Sequence, residues 1–148
     1  MMSNLWHRIR ERVINFYPPF LGAGIHARNV DKNTILVEMK LTPLNRNVFG
    51  THFGGSLYAM CDPWFVLIMM RVLGPEYVVW DKTASIQFIK PGRGTVTATF
   101  HIPQERIDGI RLEANDGQKI EPTFVVDVLD DKGEAVAHVE KLLYVRKK

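Results

Sequence analysis

Hydrophobic and polar positions change their period several times along the chain, and each change marks an element. Leu5, Trp6, Ile9, Val13 and Phe16 recur at helical spacing after Ser3, a residue suited to cap a helix, with Arg8, Arg10, Glu11 and Arg12 on the opposite side. This predicts an N-terminal helix over residues 1–17, stopped by Tyr17-Pro18-Pro19-Phe20. Alternation takes over next. Ile35, Val37, Met39 and Leu41 alternate with Glu38 and Lys40, so residues 23–42 read as a hairpin of two strands, 23–30 and 34–41, around Asp31-Lys32-Asn33. After a loop rich in Pro and Asn comes Gly50-Thr51-His52-Phe53-Gly54-Gly55-Ser56, and residues 57–73 are then apolar almost all round. A helix of that kind is buried on most of its circumference, which predicts a central helix over 54–73. Residues 77–146 are mainly β: strands 78–90 and 95–102 around Pro91-Gly92-Arg93-Gly94, one or two helical turns within 103–114, then strands 120–129 and 135–145 around Asp130-Asp131-Lys132-Gly133. One long buried helix among antiparallel strands asks for an α+β fold in which a curved antiparallel sheet wraps the helix.

Size and composition agree. A chain of 148 residues buries roughly 68–70% of the surface it exposes unfolded, enough for one substantial core and one domain over 1–148. The formal charge of +3 and a pI of about 9.1 invite a nucleic-acid reading, so the distribution of charge matters. Residues 1–12 carry +2 and 141–148 carry +4, leaving the body at −3; within it, 28–93 carry +3 and 105–140 carry −6. Basic, solvated termini thus account for the pI, and with no continuous basic stripe or nucleic-acid motif a nucleic-acid partner is not expected. The single Cys61 cannot form an intramolecular disulfide, and the chain opens on charge instead of an apolar signal segment, so a cytoplasmic location is expected. The most apolar run, 64–70, is far shorter than the roughly 20 residues of a bilayer span, and no membrane partner is expected.

The chemistry concentrates in residues 47–62. Gly54-Gly55 stands at the start of the central helix, where backbone N–H groups lack partners and the dipole is positive, a setting that suits a polarised carbonyl oxygen or an oxyanion. The plain structural alternative is a tight turn that lets the helix pack on the sheet. Asp62 stands inside an apolar helix, where an uncompensated carboxylate costs several kcal/mol. Either it pairs with a base such as Arg71, or Pro63 kinks the helix and exposes it, or it faces a cleft as base or nucleophile. Asp62 lies seven residues beyond Gly55, about 10 Å along a helix at roughly 1.5 Å per residue, too far for one carbonyl to use both comfortably. A shared site, Gly54-Gly55 of one protomer meeting Asp62 of its two-fold partner, resolves this and makes a homodimer part of the chemistry.

At this block the sequence resembles the hot-dog-fold thioesterases of the phenylacetic-acid-pathway (PaaI-like) branch. Their pattern runs Asn, two residues, Gly-Thr, one residue, His-Gly-Gly, and Asp seven residues after the second Gly, and Asn47, Gly50, Thr51, Gly54, Gly55 and Asp62 match it in register. The similarity continues through Ala84-Ser85-Ile86-Gln87-Phe88-Ile89-Lys90-Pro91-Gly92, and residues 23–102 are well covered. The resemblance implies hydrolysis of an acyl-CoA thioester without a cofactor or metal. Gly54 or Gly55 N–H would polarise the carbonyl, Asn47 would orient substrate or water, and Asp62 of the other protomer would act as general base or nucleophile.

Two departures from the pattern stand out. Phe53 occupies the place of the motif histidine, with His52 one position earlier, either lining the site or bonded to backbone as a loop residue. Asp81 stands where some relatives carry a serine that positions water; either it shares the site with Asp62, raising the pKa of one acid, or it pairs with Lys82 or solvent. Phe53, Tyr58, Trp64 and Phe65 are candidates for a substrate slot beside the helix, although an aromatic stripe of this kind is more often plain core. Lys90 and Arg93 are candidates for the CoA phosphates or plain turn residues. Cys61 reads as a small core side chain. Two rival functions remain: an acyl-CoA-binding protein without turnover, given Phe53, and a hot-dog dehydratase, whose histidine is followed fourteen residues later by its acid, where this chain has Val66. Dimers pairing into a homotetramer are compatible with all of these readings.

Overall fold

The computed structural model describes residues 13–148. Six antiparallel strands form one sheet in the order β1-β2-β4-β5-β6-β3: β1 Ile25–Asp31, β2 Thr34–Lys40, β3 Tyr77–Phe88, β4 Thr95–His101, β5 Thr123–Leu129 and β6 Ala135–Lys147. β1 and β2 make the first hairpin, and β5 and β6 another through the Asp130–Glu134 turn, where Lys90 clamps Asp130 at 2.7 Å and also meets Glu134. The expected hairpin between the third and fourth strands does not form. β3 crosses the whole sheet to pair with β6, while β4 inserts between β2 and β5.

Most of the predicted N-terminal helix lies outside the described residues. Of its end, Ile14–Phe16 forms a single 3-10 turn, and the expected stop at Pro18-Pro19 instead begins a helix, α1 Pro18–Ala23. Proline is tolerated there because the first turn of a helix has no intrahelical use for its N–H. Gly24, at φ 71°, closes α1 in the left-handed region.

The central helix is present but interrupted. α2 Gly54–Ala59 and α3 Trp64–Leu73 are separated by Met60–Pro63. Pro63 cannot donate to Ala59 O, so the chain tightens: Cys61 N–H reaches Tyr58 O at 2.8 Å and Asp62 N–H reaches Ala59 O at 3.4 Å. The carbonyl of Met60 is taken by the Trp64 indole N–H at 2.7 Å. Across the break, Gly54–Leu73 is long and apolar enough to span a bilayer, yet half of it is buried inside the fold.

The core lies between this helix and the inner face of the sheet. Phe65 stacks on Phe124 with ring centroids 5.0 Å apart and meets Phe100 edge-on at 5.1 Å, and Trp64 packs between Phe20 and Phe100. Both rings therefore belong to the core, and only Trp64 also reaches a cleft wall. α4 Gln104–Glu113 is longer than the turn or two expected and buries Ile107 and Ile110.

Candidate active site

The loop before α2 is built by Asn47. Its Oδ1 accepts from Phe49 N–H and Thr51 N–H at 3.0 and 3.1 Å, and its Nδ2 donates to Thr51 Oγ1 and His52 O at 3.0 and 3.3 Å. These bonds occupy the side chain in shaping the loop. His52 is buried: its N–H donates to Gly92 O, and Nε2 donates to Gly94 O at 2.9 Å, so it ties the glycine loop to the 91–94 turn. Burial pushes its pKa down against a smaller opposing effect of the Gly94 bond. His52 is not among the residues lining the main cleft.

Gly54 and Gly55 open α2 behind Phe53, and the first backbone bonds of the helix come from Ser56 and Leu57, both to Phe53 O. Among the described residues, the N–H groups of Gly54 and Gly55 have no hydrogen-bond partner. Two aromatic rings explain why both positions are glycine. A Cβ on Gly54 would stand 3.1 Å from the Phe88 ring, and one on Gly55 would stand 2.6 Å from the Phe53 ring.

Asp62 is not the buried acid that its apolar neighbours suggest. It sits in the helix break with 51% of its side chain exposed, so Pro63 does turn it outward, and its cationic partner is not Arg71. Arg71 reaches across to Asn29 Oδ1 and the carbonyls of Asp31 and Lys32. The partner of Asp62 is Lys141 of β6, whose Nζ lies 3.1 Å from Asp62 Oδ1, 3.0 Å from Asp81 Oδ2 and 3.2 Å from Tyr58 Oη. Tyr58, in the last turn of α2 and four residues before Asp62, donates its hydroxyl to Asp62 Oδ1 at 2.8 Å. Asp62 Oδ2 has no partner among the described residues.

Asp81 joins the cluster because of a bulge in β3. Trp80 pairs with Tyr144 and Asp81 with Leu143, but Thr83 pairs with Leu142, so Lys82 is the extra residue. Without the bulge Asp81 would oppose Tyr144 and share the outer face, where Trp80 and Tyr144 stack at 4.1 Å. The bulge instead sets Asp81 on the inner face, diagonal to Lys141. Lys82 turns away to Glu121 at 2.6 Å. Partial burial raises the pKa of Asp81, outweighing the lowering by Lys141. Burial would lower the pKa of Lys141, but the bonds to Asp81 and Tyr58 and the charges of both acids outweigh it and hold it above the usual lysine value. Burial, assisted by the bond to Asp62, raises that of Tyr58. Cys61, fully buried beside them, has its thiol pushed up to about 12 by burial, which removes it as a nucleophile.

Tyr58 and Asp62 form one wall of a mostly apolar cleft of about 1290 Å³ whose other walls include Phe20, Trp64, Leu67 and Met70. Phe65 and Phe53 do not line it. Lys90 is engaged by Asp130 and Glu134, whereas Arg93 is exposed on the turn. Among the described residues no three His, Cys, Asp or Glu side chains converge as a metal set. Lys141 is the participant that sequence reading passed over. Grouped with Arg146, Lys147 and Lys148 it looks like part of a solvated terminus, yet it shares the inward parity of Val139, Leu143 and Val145 and has no exposed surface.

A curved antiparallel sheet around a central helix is the hot-dog fold expected from the sequence. The chain belongs to the DUF4442 family, a domain of unknown function, whose pattern matches residues 7–145. Among solved structures, it is similar over 96% of both chains to a Pseudomonas aeruginosa protein described as a probable thioesterase, with a TM-score of 0.83 and 18% identity. A Haemophilus influenzae thioesterase matches with a TM-score of 0.67 and 14% identity over 90% of this chain and 86% of that one. The Escherichia coli PaaI protein of the phenylacetic acid degradation operon matches with a TM-score of 0.64 and 18% identity over 97% and 99%. These likenesses establish the fold. A search by sequence among curated proteins finds no match.

Proposed function

We propose that the protein hydrolyses the thioester of an acyl-CoA-type substrate, with Asp62 as its acid/base or nucleophilic group. The observation that carries this reading is the state of Asp62: one oxygen tied by Tyr58 and Lys141, the other without a partner, at the wall of an apolar cleft able to take an acyl tail. As general base, Asp62 Oδ2 takes a proton from water as the water oxygen bonds to the carbonyl carbon; the C–S bond then breaks and the departing thiolate receives that proton. As nucleophile, Oδ2 bonds to the carbonyl carbon itself while the C–S bond breaks and the thiolate departs; water then hydrolyses the resulting anhydride, returning the Asp62 carboxylate and releasing the acid, whose proton the thiolate takes. Free N–H groups of Gly54 and Gly55 suit the carbonyl oxygen in either course. Asn47 contributes by shaping the loop that carries them, and Arg93, exposed on the 91–94 turn, is available to a CoA phosphate. His52, held by Gly94, is not disposed for dehydratase chemistry.

The glycine pair and Asp62 are separated by the helix and its break, and β3 supports a two-fold arrangement. It is a 12-residue edge strand paired on one side only, with Trp80 and Phe88 about half exposed. Such an edge invites a second strand. We therefore place the complete site between two copies of the chain.

Binding without turnover is favoured by one feature, the Phe53 ring lying over Gly55. Thiol release measured across short, medium, long and aromatic acyl-CoAs separates the readings. Hydrolysis is expected to fall at least about tenfold in Asp62→Asn with the fold retained, the scale of losing an acid/base group. Unchanged turnover in that variant overturns the assignment, and binding with no thiol release by the wild type establishes the ligand-binding alternative.

A further inference from the structure

Lys141 is, among the described residues, the only Lys, Arg, Asp or Glu with its side chain fully buried. An ammonium has three donors, and Asp62 Oδ1, Asp81 Oδ2 and Tyr58 Oη supply three acceptors within 3.2 Å. Desolvating a lysine is costly, and an apolar residue at this inward position would suit the strand better, so stability alone is a weak reason for the cluster. Its geometry has a different consequence. Asp62 is half exposed in a helix break, and without fixed partners its carboxylate would be free to rotate. Two donors converge on Oδ1, one from helix α2 and one from strand β6, and leave Oδ2 unpartnered. Asp81, brought to the inner face by the β3 bulge, competes for the same ammonium.

We propose that Lys141 is a positioning residue: it ties Asp62 Oδ1 so that Oδ2 faces the cleft, and Asp81 moderates its pull by sharing the ammonium. This rests on the reading of Asp62 as the reactive group. The ionisable groups that face the cluster are Tyr58 and Cys61 from the helix side, Asp81 from β3 and Lys141 itself from β6. Of the helix-side pair, the Cys61 thiol and the Tyr58 phenol both have raised pKa values and stay protonated around neutral pH.

The test pairs two substitutions that act in opposite senses. In Lys141→Gln the acidic limb of the kcat/KM profile is expected to move up by about one pH unit or more, with kcat falling and KM holding within about twofold. In Asp81→Asn, which leaves the ammonium to Asp62, the limb moves down. Lys141→Arg restores part of kcat. A residue that only supports the fold would lower activity without moving the limb, and two limbs that stay in place or move together overturn the proposal. An activity-independent measurement is the carboxyl carbon titration of Asp81 by NMR, expected to move up in Lys141→Gln and down in Asp62→Asn. If the wild type hydrolyses no acyl-CoA, the proposed function fails, and an Asp81 titration unmoved in both variants separately overturns the role of Lys141. Should Lys141→Gln not fold, Asp81→Asn and Asp62→Asn carry the test, since both keep the buried lysine.

Discussion

Gly55 and Phe53 show how one missing methyl group shapes the site. The Phe53 ring is about half exposed and lies where a Cβ on residue 55 would be, so Gly55→Ala forces the ring to swing outward. The expected cost is about 1 kcal/mol, the low end for overpacking because the ring has solvent to move into. In a Phe53→Ala background the same change becomes neutral or slightly favourable, since alanine is the better helix former. Urea unfolding of the two single variants and the double variant checks this, and additive effects would show that the ring does not fix the glycine. At this scale the sequence revealed its acids more readily than its bases. Asp62 stands out as a charge in an apolar run. Lys141 hides among C-terminal lysines, and only the inward parity of Val139, Leu143 and Val145 marks it. Asp81 and Lys141 meet through a bulge, a one-residue slip for which alternation gives no warning.

Strands were legible as elements because period-2 alternation records which face is buried, and all six lie within a few residues of where that pattern puts them. What alternation does not record is which strands pair, so a third–fourth hairpin was expected where β3 instead crosses to β6. The helix break is the more consequential difference. Apolarity all round predicts one rod over 54–73, whereas Pro63 ends α2 early and turns Asp62 toward solvent and the Tyr58–Lys141 donors. Replacing Pro63 by Ala supplies an N–H for Ala59 O and lets the two pieces approach a continuous helix, which draws Asp62 away from Lys141. Stability is expected to change by no more than about 1 kcal/mol, because the gained hydrogen bond offsets the greater freedom of the unfolded chain. Thiol release is expected to fall at least about tenfold. Thermal unfolding alongside the hydrolysis assay separates these effects, and full activity in Pro63→Ala would show that the break is not what aims the acid.

Across the whole molecule the two halves of the proposed chemistry have different support. One protomer completes the Tyr58, Asp62, Asp81 and Lys141 cluster by itself, whereas the free N–H groups of Gly54 and Gly55 lie at the other end of α2. Phe88 links that end to the open edge, since its ring covers Gly54 and its strand is the edge strand β3. A two-fold pairing of β3 edges would carry the glycine turn of each copy toward the other, and closed isologous symmetry then gives two equivalent sites. Mixing two inactive variants distinguishes this from self-contained sites. Asp62→Asn removes the acid, and Gly55→Val blocks the helix start. If a site draws Gly55 from one copy and Asp62 from the other, each mixed dimer contains one intact site and one doubly damaged site. After unfolding and joint refolding in equal amounts, half the dimers are mixed, so activity is expected to recover to about a quarter of wild type. If each protomer holds its own complete site, every site carries one lesion and the mixture stays as inactive as its components.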